Sequence, residues 1–349
     1  AMGNSQKKLT IIKPDDWHLH LRDHDALRTT VPYACRGFGR GIIMPNLVPP
    51  VVTVDLAIKY KQRILDNIPD SSSWSPLMVL FLTDLTSPEE IFKAHDSKAI
   101  FGAKLYPAGA TTNSETGVTD LKNLTKTFKA MEEVGMVLQI HGESTEEDVD
   151  IFDRESVFIE KTLKPLVEKF PELKISLEHI TTFDSVEYIM KQSDTVYGSI
   201  TPQHLLFNRN DMLVGGIRPH LFCLPILKRE RHQQALIKAA TSGNKKFFLG
   251  TDSAPHSKDN KENACGCAGC YSHLAAIELY AEIFDQLNSL DKLENFASKN
   301  GPDFYGLPYN DSLITLKKHK WTIPSSIRYM DTTLVPLGAD MQLNWQLVQ

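Results

Sequence analysis

Two histidines, at positions 18 and 20, form the first pattern in the sequence that indicates chemistry. They lie in the segment Trp17-His18-Leu19-His20-Leu21-Arg22, which follows an apolar run. On extended backbone, side chains two residues apart point to the same side, so both imidazoles can reach one metal ion. On a helix the same spacing would separate them. Two unrelated surface histidines are the alternative that this motif alone leaves open.

Polar residues also follow or end other apolar runs. They are Asn46, Lys104, His141, His179 and Asp252, with His256 four positions after Asp252. Each residue alone has a structural explanation, because a single His, Lys or Asp at a strand end is commonly hydrogen-bonded, solvated, or part of a turn or cap. Four imidazoles and a carboxylate together form a donor set suited to Zn²⁺ and similar ions.

Eight short apolar runs precede these positions, and helical patterns lie between them. The candidate strands are residues 9–15, 40–44, 77–82, 100–105, 136–140, 174–178, 196–200 and 246–250. Open doubly wound sheets usually have about five to seven strands, so eight strands favour a closed (β/α)8 TIM barrel. The C-terminal ends of all barrel strands open onto one face. We therefore expect His18, His20, Lys104, His141, His179 and Asp252 to converge there.

Composition excludes several classes of protein. The chain has 349 residues, with 43 acidic against 38 basic, and this mild acidity argues against a dedicated nucleic-acid binder. No stretch free of charged residues is long enough for a membrane span. Five cysteines are few and odd in number, which favours a cytoplasmic setting without a disulfide framework. We predict a tag remnant and N-terminal extension over 1–8 and one domain over 9–349.

Longer motifs carry a resemblance to the dihydroorotase family of the amidohydrolase superfamily, in its single-domain bacterial form. The matching segments are PDDWHLHLRD (14–23), MPN (44–46), AKLYPA (103–108), HGE (141–143), EHITT (178–182), ITPQHL (200–205), GGIRPH (215–220), GTDSAPH (250–256) and NGP (300–302). The likeness extends over about residues 9 to 310. The last forty or so residues match weakly, and no function is assigned to them.

The resemblance implies a binuclear zinc site. His18 and His20 would bind the more buried ion, and His141 and His179 the second. Lys104, carbamylated to N6-carboxylysine, would bridge both ions together with a hydroxide, because a carbamate can ligate a cation and an ammonium cannot. Asp252 would bind the first ion and act as general base and acid.

The reaction implied is the reversible cyclisation of N-carbamoyl-L-aspartate to L-dihydroorotate and water, in de novo pyrimidine (UMP) biosynthesis. The partner is thus a small molecule. Arg22 lies two residues beyond His20, and its guanidinium can hold a substrate carboxylate through two hydrogen bonds. The resemblance implies that Asn46 and His256 also bind this carboxylate. It further implies that backbone groups of Leu224 and Ala268 bind the edge of the pyrimidine ring.

A mobile loop and a homodimer are also implied by the resemblance. Thr111 and Thr112 would close over the substrate from the loop at 106–116. Position 109 is Gly where the family pattern predicts Asn, and glycine widens the backbone freedom of the loop. We expect this change to alter the rate of loop closure and not the chemistry.

Two other functions remain open, together with one other metal site. The chain could be another cyclic-amide hydrolase, hydantoinase-like or allantoinase-like, with the same metals. It could also be a non-catalytic barrel, although such relatives generally lose ligands and all six positions are filled here. A structural metal site is also suggested by three closely spaced cysteines, Cys265, Cys267 and Cys270. No second thiol cluster accompanies them, so we expect them not to bind metal.

Overall fold

The computed structural model describes residues 7–349, so the predicted tag remnant and nearly all of the predicted extension lie outside the described residues. Its strands are β1 (Lys8–Ile12), β2 (Asp15–Leu19), β3 (Arg40–Ile43), β4 (Ser75–Phe81), β5 (Ile100–Leu105), β6 (Val137–Ile140), β7 (Ile175–Leu177), β8 (Val196–Ile200), β9 (Phe247–Leu249), β10 (Leu313–Thr322), β11 (Ile327–Tyr329), β12 (Thr332–Leu334) and β13 (Gln342–Leu347). Strands β2 to β9 form one parallel sheet in sequential order. This is the predicted (β/α)8 barrel.

Helices alternate with the barrel strands. They are α1 (Leu27–Ala34), α2 (Val54–Leu65), α3 (Pro88–Ser97), α4 (Thr125–Val134), α5 (Arg154–Phe158), α6 (Lys164–Lys169), α7 (Phe183–Lys191), α8 (Pro202–Leu206), α9 (Arg209–Leu213), α10 (Glu230–Thr241), α11 (Lys258–Lys261), α12 (Ala276–Gln286) and α13 (Asn300–Tyr305). Thr53, Ser87 and Thr182 cap three of them by accepting a backbone N–H three residues later.

Alternation along the strands divides the core into two layers. Ile42 of β3 and Val79 of β4 belong to a cluster inside the barrel, whereas their neighbours Ile43 and Leu80 pack in the layer between the barrel and the helices. Helix α13 completes the inner cluster. Its last residue, Tyr305, stacks on Trp17 of β2 with ring centroids 4.4 Å apart.

The predicted first barrel strand, residues 9–15, was wrong. β1 lies outside the barrel and pairs antiparallel with β10, and the first barrel strand is β2. β2 begins with two aspartates, so its sequence does not resemble a core strand, yet all five of its residues are buried. Asp15 can be buried because Arg40 donates two hydrogen bonds to its carboxylate, at 2.9 and 2.7 Å.

The last part of the chain forms its own strands. β10 pairs with β13 as well as with β1, while β11 and β12 form a separate hairpin. Apolar residues of the three-stranded sheet, including Ile11, Leu316 and Trp345, pack in the same core cluster as the barrel helices. Within the described residues, no helix combines the length and apolar character that a membrane crossing requires.

Candidate active site

Three of the predicted ligands lie where backbone hydrogen bonds close the barrel. The N–H of Asp252, just after β9, donates to the carbonyl of His18 at 2.7 Å, and the N–H of His20 donates to Ser253 at 2.9 Å. These bonds join the first and last barrel strands. Oδ1 of Asp252 consequently lies 3.1 Å from Nε2 of His18 and 2.9 Å from Nε2 of His20.

The other three predicted ligands lie against this group. Lys104 is the penultimate residue of β5, and His141 and His179 follow β6 and β7. The ring centroid of His179 lies 5.1 Å from that of His18 and 4.6 Å from that of His141. The structure thus brings together residues that are separated by more than two hundred positions in the sequence.

Unpaired donors at the centre fit a metal site. One potential ligand atom each of His18, His179 and Asp252 lies within 4.8 Å of the others. Nδ1 of His179 and Nζ of Lys104 are buried without a hydrogen-bond partner. Because buried polar atoms are normally paired, these orphans are what a set of metal ligands shows without its ion. The residues present therefore fit the metal centre that the donor types predict.

Left-handed backbone occurs at three of the predicted site residues. The φ angles are +58° at Arg22, +39° at His179 and +49° at Asp252. Such a conformation costs about 1–3 kcal/mol at a non-glycine residue, and its surroundings must hold it in place. The N–H of His179 is held by Oγ of Ser199 at 2.9 Å. The fold therefore holds three of the predicted site residues in a conformation that their local sequence does not favour.

Burial and neighbouring charges set the ionisation of the central groups. Burial opposes ionisation of Asp252, but His18 and His20 outweigh it and hold the pKa of the carboxyl well below its usual range. Burial lowers the pKa of the Lys104 ammonium, against the opposing effect of Glu178. Burial also lowers the pKa of His20 to about 4, so its imidazole is neutral at pH 7. A carboxylate and a neutral imidazole are the forms that bind metals.

Three buried carboxylates that we did not predict lie beside or behind the predicted ligands. Asp16 accepts hydrogen bonds from Thr251, at 3.0 Å from its N–H and 2.6 Å from its hydroxyl. Glu143 lies 2.7 Å from Nε2 of His141. Glu178 lies 3.2 Å from Nδ1 of His18 and 3.5 Å from Nζ of Lys104. The signal was present in the sequence, because each is an acidic residue within two positions of a histidine predicted to bind metal.

Arg22 and His256, both predicted to bind a carboxylate, contact each other. Nε of Arg22 donates to the carbonyl of Pro255 at 3.1 Å, and Nη2 lies 3.1 Å from Nε2 of His256. That same Nε2 lies 3.0 Å from the carbonyl oxygen of Ala268. Burial, followed by the Arg22 charge, lowers the pKa of His256 to about 3, so the ring is neutral. A neutral Nε2 either accepts from Arg22 or donates to Ala268, and it cannot do both.

The predicted mobile loop contacts Asn46, which lies just beyond the C-terminal end of β3. Nδ2 of Asn46 donates to the carbonyl of Thr112 at 2.9 Å, and Thr111 donates its N–H to Oγ of Ser114 at 3.0 Å. Thr112 shares a cavity of about 340 Å³ with Arg22 and His256. Gly109 has φ +81°, and a Cβ atom at this position would have no neighbouring atom within 4 Å. Glycine suits that angle, and the asparagine of the family pattern can also adopt it.

Leu224 and Ala268 lie in two loops that contact each other. The N–H of Gly269 donates to the carbonyl of Phe222 at 3.0 Å, which links the chain just before Leu224 to the chain just after Ala268. All five cysteines are free thiols. Cys265 is exposed, Cys267 is half-buried, and Cys270 is buried.

Comparisons with known proteins agree with this geometry. The model of the amidohydrolase family matches residues 10–318. A dihydroorotase from Shewanella oneidensis is 60% identical over 341 residues, which cover 98% of this chain and 99% of that protein.

Two solved dihydroorotase structures superpose over nearly the whole chain. The enzyme from Campylobacter jejuni has a TM-score of 0.91 and 37% identity, over 99% of this chain and 98% of that one. The enzyme from Saccharomyces cerevisiae, solved with 5-fluoroorotic acid, has a TM-score of 0.90 and 34% identity, over 98% of each chain. The chain therefore belongs to the amidohydrolase family and, within it, to the metal-dependent dihydroorotases.

Proposed function

We propose that this chain interconverts N-carbamoyl-L-aspartate and L-dihydroorotate at the face where its barrel strands end. The observation that carries the proposal is the placement of two groups on one face. Asp252 joins the His18–His20 pair, and the Arg22–His256 pair lies at the neighbouring cavity. The first group suits metal-assisted amide chemistry, and the second suits a carboxylate. The yeast relative was solved with a ligand that joins a pyrimidine ring to a carboxylate.

Two zinc ions would occupy the centre. His18, His20 and Asp252 would hold one, His141 and His179 the other, and carbamylated Lys104 would bridge them. Support comes from Lys104, which is fully buried and has its pKa lowered by that burial. A lowered pKa favours the neutral amine, the form that reacts with CO₂. When bound, the ions would polarise the amide carbonyl and lower the pKa of the attacking water.

Asp252 would move the proton in this reaction. Its depressed pKa keeps the carboxylate ionised at neutral pH, so it can accept a proton from water as the new C–O bond forms. It would return that proton to the ring nitrogen as the C–N bond breaks. Cyclisation follows the same steps in reverse. Oδ1 of Asp252 lies 3.1 Å from Nε2 of His18 and 2.9 Å from Nε2 of His20, so the proton acceptor would lie beside the first zinc ion.

The substrate carboxylate would bind at Arg22, with Asn46 and His256 beside it. When Nε2 of His256 accepts from Arg22, the carbonyl of Ala268 becomes free for a ring N–H. Backbone groups of Leu224 and Ala268 would contact the ring edge. The loop carrying Thr111 and Thr112 would close over the ligand and exclude water, and the hydrogen bond from Asn46 to the carbonyl of Thr112 supports this.

A substrate panel tests the proposed function. Purified zinc-loaded protein should hydrolyse L-dihydroorotate and cyclise N-carbamoyl-L-aspartate, with little turnover of hydantoins or allantoin. Turnover of hydantoins or allantoin, with no turnover of L-dihydroorotate, would instead identify another cyclic-amide hydrolase. Folded protein that takes up no zinc and turns over neither class would indicate a non-catalytic barrel.

Arg22→Met should raise KM for L-dihydroorotate much more than it lowers kcat. The guanidinium binds the carboxylate equally in the ground state and the transition state, so its loss removes uniform binding. Steady-state kinetics on metal-replete protein measure this, and Arg28→Met, which replaces an exposed arginine of helix α1, is the control. A large fall in kcat at unchanged KM would contradict a carboxylate-binding role for Arg22.

We also propose that residues 9–349 fold as one domain, that the chain is cytoplasmic, and that it assembles as a homodimer. The shared core of the three-stranded sheet and the barrel helices supports one domain. Five free thiols support a reducing compartment. The homodimer rests on the family resemblance, and light scattering on the purified protein tests it.

A further inference from the structure

Lys261, the last residue of helix α11, is buried although lysine is rarely buried without a carboxylate partner. Only 2% of it is exposed. Its Nζ donates to the carbonyl of Phe222 at 2.7 Å and to the carbonyl of Cys267 at 2.6 Å. These carbonyls belong to two loops that are about forty-five positions apart in sequence. Lys261 therefore fastens one loop to the other.

Both fastened loops carry a backbone group of the proposed ring-edge site. Phe222 lies two residues before Leu224, and Cys267 directly precedes Ala268. Within residues 7–349, the N–H groups of Leu224 and Ala268 donate no hydrogen bond to protein, so both are available to a ligand. The Gly269–Phe222 bond of 3.0 Å is a second link between these loops. The position of one N–H relative to the other thus depends on the Lys261 ammonium.

We propose that Lys261 is a positioning residue for substrate recognition: it sets the spacing of the Leu224 and Ala268 backbone groups that read the ring edge. This inference rests on the proposed function, which assigns those groups to the substrate. Recognition of a planar ring edge requires its partners to be held within about 0.5 Å. Short hydrogen bonds from one charged donor to both loops supply that precision. Lys261 acts through the loops and touches neither the metal centre nor the reacting atoms.

A purely structural role is the alternative, and the chain contains a matched control for it. Lys246 is also buried, with 6% exposed, and its Nζ donates to the carbonyls of Ile189, Gln192 and Ser193 at 2.7, 2.7 and 2.8 Å. It directly precedes β9, so it lies at the end of the barrel opposite to the site. Lys246→Met removes the same kind of buried anchor without approaching the substrate.

The experiment compares Lys261→Met with Lys246→Met in the zinc-loaded full chain. We expect Lys261→Met to raise KM for L-dihydroorotate by about tenfold, the order expected when hydrogen bonds from a charged group are lost. The Kd of 5-fluoroorotic acid, measured by calorimetry, should rise by a similar factor, whereas kcat and zinc content should change little. Lys246→Met should lower Tm and leave KM and Kd unchanged.

Other results overturn the inference. Unchanged KM and Kd in Lys261→Met would do so, as would equal increases in both variants or a fall in kcat alone. If Lys261→Met does not fold, Lys261→Gln replaces it with the same expectations, because a neutral, shorter donor cannot span both carbonyls equally well. Wild-type protein without dihydroorotase activity would refute the proposed function instead, so the two failures are distinguishable.

Discussion

Asp252→Asn should lower kcat for L-dihydroorotate hydrolysis by a factor on the order of 10³, within the range that general acid–base groups contribute. The amide has the shape of the carboxylate but cannot accept the proton from water. It also cannot present an anionic Oδ1 to His18 and His20, which now lie 3.1 and 2.9 Å away. The effect should fall on kcat, since Asp252 acts on the reacting atoms and not on the substrate carboxylate.

The measurement combines steady-state kinetics with metal analysis and thermal unfolding of the same preparation. Asp194→Asn is the control, because Asp194 is a surface carboxylate whose ion pair with Lys245 is 2.8 Å long. The control should keep the wild-type kcat. Asp252→Asn protein that binds zinc fully and retains a tenth or more of the wild-type kcat would refute the proton-transfer role.

Lys104→Ala should lose both bound zinc and activity. Residues that only orient metal ligands typically cost about 10–100-fold in metal affinity or activity when replaced, so loss of the bridging ligand should cost more than about 100-fold. The side chain is fully buried, and alanine leaves space at its position. Acetate or propionate should enter that space, supply two carboxylate oxygens and restore part of the activity.

Zinc content per chain and kcat, with and without added carboxylic acid, check this expectation. Lys246→Ala provides the control, since it removes another buried lysine from the opposite end of the barrel. Carbon-13 NMR of wild-type protein equilibrated with labelled bicarbonate should show a carbamate signal that Lys104→Ala lacks. Lys104→Ala with normal zinc content and normal kcat would exclude the bridging role.

Seven of the eight barrel strands could be predicted from the sequence because their apolar runs are short and buried on both faces. The first strand could not, because β2 contains two aspartates and a histidine, which are rarely buried in a core. The tertiary structure makes that composition possible. Arg40, from the neighbouring strand, satisfies Asp15, and Thr251, after the last strand, satisfies Asp16. Local sequence contains neither partner.

The candidate ligands could be predicted from the sequence, since H-x-H spacing and the polar residues at strand ends supply donor types that suit a metal site. The geometry of the candidate metal site could be determined only from the fold. Backbone hydrogen bonds between β2 and the segment after β9 bring Asp252 to His18, and Arg22, His179 and Asp252 adopt left-handed φ angles. Those angles are stable only because surrounding contacts hold them, so no local pattern predicts them.

Sequence and tertiary structure also made separate contributions to the residues around the candidate metal site. The sequence by itself determined which side chains can bind a metal or a carboxylate, because that depends on residue type and short-range spacing. Only the tertiary structure decided that Glu143 and Glu178 support histidines, and that Lys261 joins two distant loops. Such pairings depend on which segments closure of the barrel brings together, and that closure is a property of the whole chain.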